Sequence, residues 1–306
     1  MSSGWIRKSP MHSARSHFAI AEYKGRIYVF GGGGKDFMSL NSTEIYDPKM
    51  DIWYKRADMP TTRSGSVAAV LNDKIYVMGG GFRHTDGRFV FFKVVEIYDP
   101  ERDTWSQGPD MLMPHDYPSC VVMNEGIYVL GGHHPDATKG SPMTDPGFSF
   151  CEVFDPGTHA WQEIAPMPTP RFAFAAVVLN NRILALGGAG LRKDGFKNFD
   201  AVESYAPVMN QWSEAGYKLP SPVAGIGACI HNNRLYIAGG NSGEKIEKRF
   251  ACYNPDLNKW IMLDPLEEGR IVIGMITIDE TIYLIGGRGA DGKIPLASVD
   301  TYRITH

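Results

Sequence analysis

Apolar residues along the chain alternate with polar ones or gather in short β-branched runs, as in Arg26-Ile27-Tyr28-Val29-Phe30 and Lys74-Ile75-Tyr76-Val77-Met78. Alternation of this kind marks strands, and no segment sustains helical spacing. Runs of this type end in paired glycines at Gly31-Gly32, Gly79-Gly80, Gly131-Gly132, Gly187-Gly188, Gly239-Gly240 and Gly286-Gly287, at intervals of 48, 52, 56, 52 and 47 residues. The six tryptophans, Trp5, Trp53, Trp105, Trp161, Trp212 and Trp260, keep the same beat. An aromatic stands seven residues before five of them, at Tyr46, Tyr98, Phe154, Tyr205 and Tyr253, usually followed by a turn such as Asp47-Pro48 or Asp99-Pro100. Proline presets φ for the second position of a type I turn, so each of these is a hairpin corner.

A single four-stranded sheet leaves both faces uncovered, so copies at this period must stack around an axis, aromatic residues of one blade filling the gap to the next. The chain reads as an all-β, six-bladed β-propeller with four antiparallel strands per blade, one domain over residues 1–306. In the first copy these strands, a to d with a innermost, are expected near 17–23, 26–31, 41–47 and 51–56. The last copy supplies a, b and c near 271–278, 281–286 and 297–303, while Gly4 to Arg7 look like an orphan strand d carrying Trp5. The last blade is therefore expected to be closed by the N-terminal strand, tying both ends down. The tryptophans are expected to pack as core, as large aromatics usually do.

A net charge of -3, with no run of lysines or arginines that could track a phosphate backbone, leaves nucleic acid outside the expected partners. The first residues form no signal segment, and no apolar stretch approaches the roughly 18 residues that span a bilayer. A cytosolic monomer without membrane contact is expected. Cys120 and Cys151 fall on strands a and c of one copy, Cys229 and Cys252 on strands a and c of another. Two strand spacings amount to nearly 10 Å, beyond the roughly 7 Å that a disulfide bridges, so four free buried thiols are expected.

The diglycine, the Glu-aromatic-Asp-Pro turn (Glu44-Ile45-Tyr46-Asp47-Pro48, Glu96-Ile97-Tyr98-Asp99-Pro100) and the tryptophan seven residues past the aromatic resemble the Kelch motif over essentially the whole chain. The fifth copy departs from it with Ala251 in the glutamate position, and the sixth reads Asp300-Thr301-Tyr302. The resemblance implies the propeller. It also admits partner-binding domains, among them substrate receptors of ubiquitin ligases, and enzymes such as sialic-acid mutarotases, galactose oxidases and plant specifier proteins. A galactose-oxidase-like copper site needs a mouth-facing cysteine, and all four cysteines fall within strands. The specifier-like iron pattern is missed by one step at Glu152, Asp155 and His159. No metal and no cofactor are expected.

Following the chain through a blade puts every a-b and c-d turn on one face and every b-c and d-a loop on the other. The a-b turns are tight, as at Asn72-Asp73, Asn180-Asn181 and Asn232-Asn233, whereas the b-c loops are long, the longest running from His133 to Phe148. Long loops on a rigid scaffold are where binding and catalysis concentrate. Sixteen residues before the first glycine of each pair stand Arg15, Arg63, His115, Arg171, Val223 and Arg270, at the opening of the innermost strand. Four arginines and a histidine are expected to ring the mouth of the central channel and grip an anion. The bland alternative is that an arginine in this Kelch-like position bonds neighbouring loop carbonyls. His17 and Tyr117 complete the candidate ligand-binding set. Lys35, Arg83, Arg88, Arg192, Lys193, Lys197 and Arg288 add positive charge to this face, and Asp36, Asp86, Asp136, Asp194 and Asp291 dilute it. The recurring Glu44, Glu96, Glu152 and Glu203 share one strand-c slot, which calls for a structural role.

The third copy breaks the pattern with His115-Asp116-Tyr117 and His133-His134. Because strands a and b are antiparallel neighbours, His115, Asp116, His133 and His134 are expected at one edge of the mouth, as candidates for general acid-base catalysis. The function expected first is a binding module for an acidic peptide or protein, or for a small anionic ligand. A cofactor-free enzyme of the sugar-acid mutarotase, isomerase or cyclase kind would use the same pocket. A substrate-receptor domain excised from a ubiquitin-ligase adaptor is the third expectation, since fold alone does not choose among them.

Overall fold

The computed structural model describes residues 4–84, 88–137 and 144–304. Six four-stranded antiparallel sheets, each in the order a-b-c-d, form the blades of a propeller. Innermost strands pack beside one another from the first blade to the sixth and back to the first. In blade one the strands are Ala19–Tyr23, Arg26–Gly33, Ser39–Asp47 and Ile52–Arg56. Strand a starts later than the alternation suggests because His17 adopts a left-handed backbone (φ 51°), which a strand cannot contain. Val272 (φ 54°) has the same effect in blade six, where strand a is Gly274–Ile278. Blade two carries an extra short strand, Phe89–Phe91, against its long strand b, Lys74–Arg83. A hairpin of Ala189–Arg192 and Gly195–Asn198 rises from the b-c loop of blade four.

In five of the six tight a-b turns both central residues have positive φ, as at Asn72 and Asp73 (50° and 59°) and Asn232 and Asn233 (45° and 59°). Such turns match the right-handed twist of the strands they join, and Asn and Asp tolerate the conformation best after glycine.

Among the described residues, apolar side chains fill six large clusters, each shared between two adjacent blades, and a smaller one of Phe172, Ala173, Ala189 and Ala224. Each indole N–H also donates to a backbone carbonyl at the outer edge of the preceding blade: Trp53 to Ser9, Trp105 to Ala57, Trp161 to Pro109, Trp212 to Ala165, Trp260 to Lys218 and Trp5 to Asp264, all at 2.8–3.0 Å. The tryptophans thus staple the rim, with Trp5, Trp53 and Trp161 buried and Trp105, Trp212 and Trp260 half-buried. Trp5–Lys8 pairs antiparallel with strand c of blade six, Trp5 opposite Tyr302 and Lys8 opposite Val299. This is the closure expected.

The paired glycines hold blades together near the axis. A Cβ on the first glycine of any pair would lie 2.3–2.9 Å from the carbonyl oxygen of Arg63, His115, Arg171, Val223, Arg270 or Arg15 in the next blade. The second glycine donates its N–H to that same carbonyl at 2.7–3.0 Å, from Gly32 to Arg63 round to Gly287 to Arg15. Positive φ and close approach both demand glycine here. The four cysteines are free; Cys151, Cys229 and Cys252 are buried, while Cys120 is half-buried on the channel wall.

Trp5→Ala is expected to lower stability by about 3–5 kcal/mol, the usual cost of truncating a buried tryptophan. Deleting residues 1–8 should cost at least as much, and Ile6→Ala, on the exposed side of the same strand, within about 0.5 kcal/mol. Urea denaturation midpoints of the three variants provide the check.

Candidate functional site

Each side chain of the register that begins at Arg15 lies below the mouth and not around it. Arg15, Arg63, His115 and Arg171 are fully buried and Arg270 nearly so. Arg15 pairs with Glu44 at 2.5 Å, Arg63 with Glu96 and Arg171 with Glu203 at 2.7 Å, His115 with Glu152 at 3.1 Å, and Arg270 with Asp300. Arg15, Arg63 and Arg171 also donate through Nη1, and His115 through Nδ1, to the carbonyl of the first glycine in their own blade at 2.6–3.0 Å. The expected ring of anion-gripping guanidiniums is therefore corrected to a set of internal spokes. The strand-c carboxylate draws each of these side chains inward. In blade five the spoke is apolar, with Val223 and Ala251 both buried in one cluster. Exchange of a buried ion pair for packed apolar residues is close to neutral when both partners change together.

Two residues beyond each spoke the backbone turns left-handed at His17, Gly65, Tyr117, Ala173, Gly225 and Val272 (φ 51–69°). Backbone hydrogen bonds of 2.7–2.8 Å link Gly65 to His17, Tyr117 to Gly65, Gly225 to Ala173 and Val272 to Gly225 across neighbouring blades. Non-glycine residues in this region cost roughly 1–3 kcal/mol each, a strain concentrated here at the neck of the channel. His17 and Tyr117, with rings 4.9 Å apart, line both the central channel of about 260 Å³ and a separate mouth pocket of about 180 Å³. They divide one from the other.

The mouth pocket is lined by Phe37, Arg83, Phe89, Asp116 and His133 besides His17 and Tyr117. His133 Nδ1 is hydrogen-bonded to the buried Asp145, which also accepts the N–H groups of His134 (3.1 Å) and Gly147 (3.0 Å). Its ring stacks on Phe172 at 4.2 Å. Burial alone would lower the His133 pKa, but the Asp145 hydrogen bond and the charges of Asp116 and Asp145 outweigh it and raise it. Burial pushes Asp116 up to about 6, with His133 pulling it down and Asp145 pushing it further up. Burial, aided by the charges of Arg288 and His133, lowers His17 to about 3, so it is neutral at physiological pH.

Of the four acid-base candidates, Asp116 and His133 share the pocket. His115 is corrected to a spoke, because Glu152 and the Gly131 carbonyl occupy both its ring nitrogens. His134 turns its edge to Phe148 and accepts the Asp136 N–H, away from the pocket lining. Asp145 escaped sequence reasoning, since it reaches His133 from twelve residues on in an irregular loop. Asp86 lies outside the described residues. Among those described, no group of three or more His, Cys, Asp or Glu side chains could hold a metal ion, and no helix is long and apolar enough to cross a membrane.

The KLHDC2/KLHL20/DRC7 Kelch-repeats domain model matches residues 5–188 and 119–287. The chain belongs to the Kelch-repeat family. This Kelch domain is 30% identical to Kelch-like protein 23 of Homo sapiens over 295 residues, covering 96% of the chain and 48% of that protein. It is 29% identical to beta-scruin of Limulus polyphemus over 208 residues, covering 66% of the chain and 22% of that protein. The chain thus spans about half, or less, of the length of the curated relatives it matches. A solved structure described as "Structure of YjhT" superposes with a TM-score of 0.79 over 95% of both chains at 19% identity, a likeness of fold.

The Kelch spokes yield a double-mutant cycle. Arg63→Val or Glu96→Ala alone should cost about 3–5 kcal/mol by leaving a buried charge unpaired, and the double variant should cost clearly less than their sum. Simple additivity in urea denaturation would refute this. Asp116 gives a pH test with a defined sign. A folded pKa near 6 against about 3.9 unfolded means its stabilising contribution is complete below about pH 4 and fades as pH rises through 6. Asp116→Asn should therefore gain stability relative to the parent between pH 4 and 7, read from paired urea midpoints.

Proposed function

We propose that this Kelch domain is a binding module that takes an acidic peptide or protein, or a small anionic ligand, on the face carrying the b-c and d-a loops. The observation that carries this reading is the placement of its exposed phenylalanines. Phe89 lines the mouth pocket from the b-c loop of blade two, with Arg83 5.6 Å over its ring, and Phe196 stands on the b-c hairpin of blade four, 6.3 Å from the ring of Phe172. Aromatic and arginine side chains dominate the energetics of interfaces, and exposed rings spend hydration energy that a partner recovers. Lys35, Arg192, Lys193 and Lys197 on the same loops favour an acidic partner by steering its approach. Four free thiols fit the reducing cytosol.

A second reading draws on the imidazole of His133, oriented by Asp145 beside Asp116. That pair supports cofactor-free acid-base chemistry on a ligand held in the pocket. Loss of anomer exchange in an anionic sugar on His133→Asn, with unchanged melting, would favour it.

For the binding reading, calorimetric titration with an end-blocked hexaglutamate peptide is expected to show Arg83→Ala and Phe89→Ala each weakening affinity about tenfold, the scale of an interface hot spot. Val208→Ala and Met209→Ala, on a c-d turn of the opposite face, should leave it unchanged. Sensitivity confined to the opposite face would sink the proposal.

A further inference from the structure

Arg288 follows the last diglycine and reaches from blade six toward blade one, beside Gly33. It is 2% exposed, yet only Nη1 has a partner, the carbonyl of Lys293; Nε and Nη2 are buried without a hydrogen bond. These two nitrogens form one edge of the guanidinium plane, and their N–H groups point the same way, the geometry that a carboxylate takes with both oxygens. A buried, unpaired cationic donor pair is costly, and its persistence calls for an explanation.

A single aromatic ring covers the face of this guanidinium. The centroid of the Phe37 ring is 3.6 Å from the guanidinium carbon, and Phe37 also lines the mouth pocket. The cover is held weakly. Phe37 is 45% exposed, and it and Asp36 both adopt left-handed backbone (φ 60° and 53°), a conformation costly for a large aromatic residue. Gly33 leaves open the space beside Nη2 that a side chain would fill, since a Cβ there would come within 3.7 Å of it. His17, neutral at physiological pH, adds no competing charge from below.

We infer that the Nε–Nη2 edge of Arg288 is the carboxylate anchor of this domain, brought into use when a ligand entering the mouth pocket displaces the Phe37 ring from the guanidinium face. The inference rests on the binding-module reading and supplies its anchoring residue. The carboxylate comes either from an acidic side chain of a bound peptide or from a small free dicarboxylic acid.

Titration of the full chain with end-blocked hexaglutamate and, separately, with glutarate tests it. Phe37→Ala is expected to tighten binding of the true ligand class about tenfold by removing the cover, and the Nε–H resonance of Arg288 to move on saturation. Arg288→Gln should lose the binding at unchanged melting temperature; if that variant unfolds, the Phe37→Ala gain and the Arg288 resonance still decide. Response to the peptide alone identifies a polypeptide partner, and response to glutarate as well identifies a free acid. Peptide binding indifferent to Phe37→Ala, with the Arg288 resonance unmoved, overturns the anchor and leaves the binding module standing. Absence of binding by every variant removes both.

Discussion

Everything near the axis depends on one contact, the approach of each diglycine to the backbone carbonyl sixteen residues ahead of the next. It leaves no room for a Cβ and is bonded through the second glycine N–H all round the ring. The residue that supplies the carbonyl also supplies, in five blades of six, the charged or imidazole side chain that ties back to its own blade. Backbone joins neighbour to neighbour, and side chain joins inner strand to third strand. A scaffold locked in both directions can hold strained left-handed residues at its neck, because the surroundings over-determine them.

The spokes also show how a repeat tolerates departures. Blade three substitutes histidine for arginine and keeps the glutamate; blade six substitutes aspartate for glutamate and keeps the arginine; blade five abandons both charges together. Correlated exchange is what burial requires, since a lone charge in that position has no solvent to turn to. The outer rim repeats the lesson. Tyr46, Tyr98, Tyr205 and Tyr253 donate to Asp51, Asp103, Asn210 and Asn258, whereas blade three pairs Phe154 with the ring of His159.

Blade number, strand order, closure through Trp5 and the structural duty of the repeated glutamates were all legible in the sequence, because each follows from spacing or from recurrence in one slot. The direction of Arg15 and its equivalents was not. Register locates the Cα at the start of the inner strand, but whether the guanidinium turns to solvent or inward depends on a carboxylate two strands away. The same holds for the pocket: His133 and Asp116 were placed together by antiparallel pairing, while Asp145, Phe37 and the unpaired edge of Arg288 come from loops whose conformation no periodicity specifies. The left-handed turns at His17 and Val272 were equally hidden, since histidine takes positive φ only occasionally and a β-branched residue hardly ever.

The closure through Trp5–Lys8 has a consequence for how the molecule is made. On the ribosome this segment is synthesised before any of the five complete blades, yet its partner, Val299–Arg303, emerges almost three hundred residues later. The ring cannot be sealed before that late strand has emerged, and until it is, the outer edge of the last sheet and the early strand both present unpaired backbone to other chains. Assembly of the toroid is thus gated by its longest-range pairing, and the interval before that pairing is when the nascent chain is most exposed to mispairing with another copy.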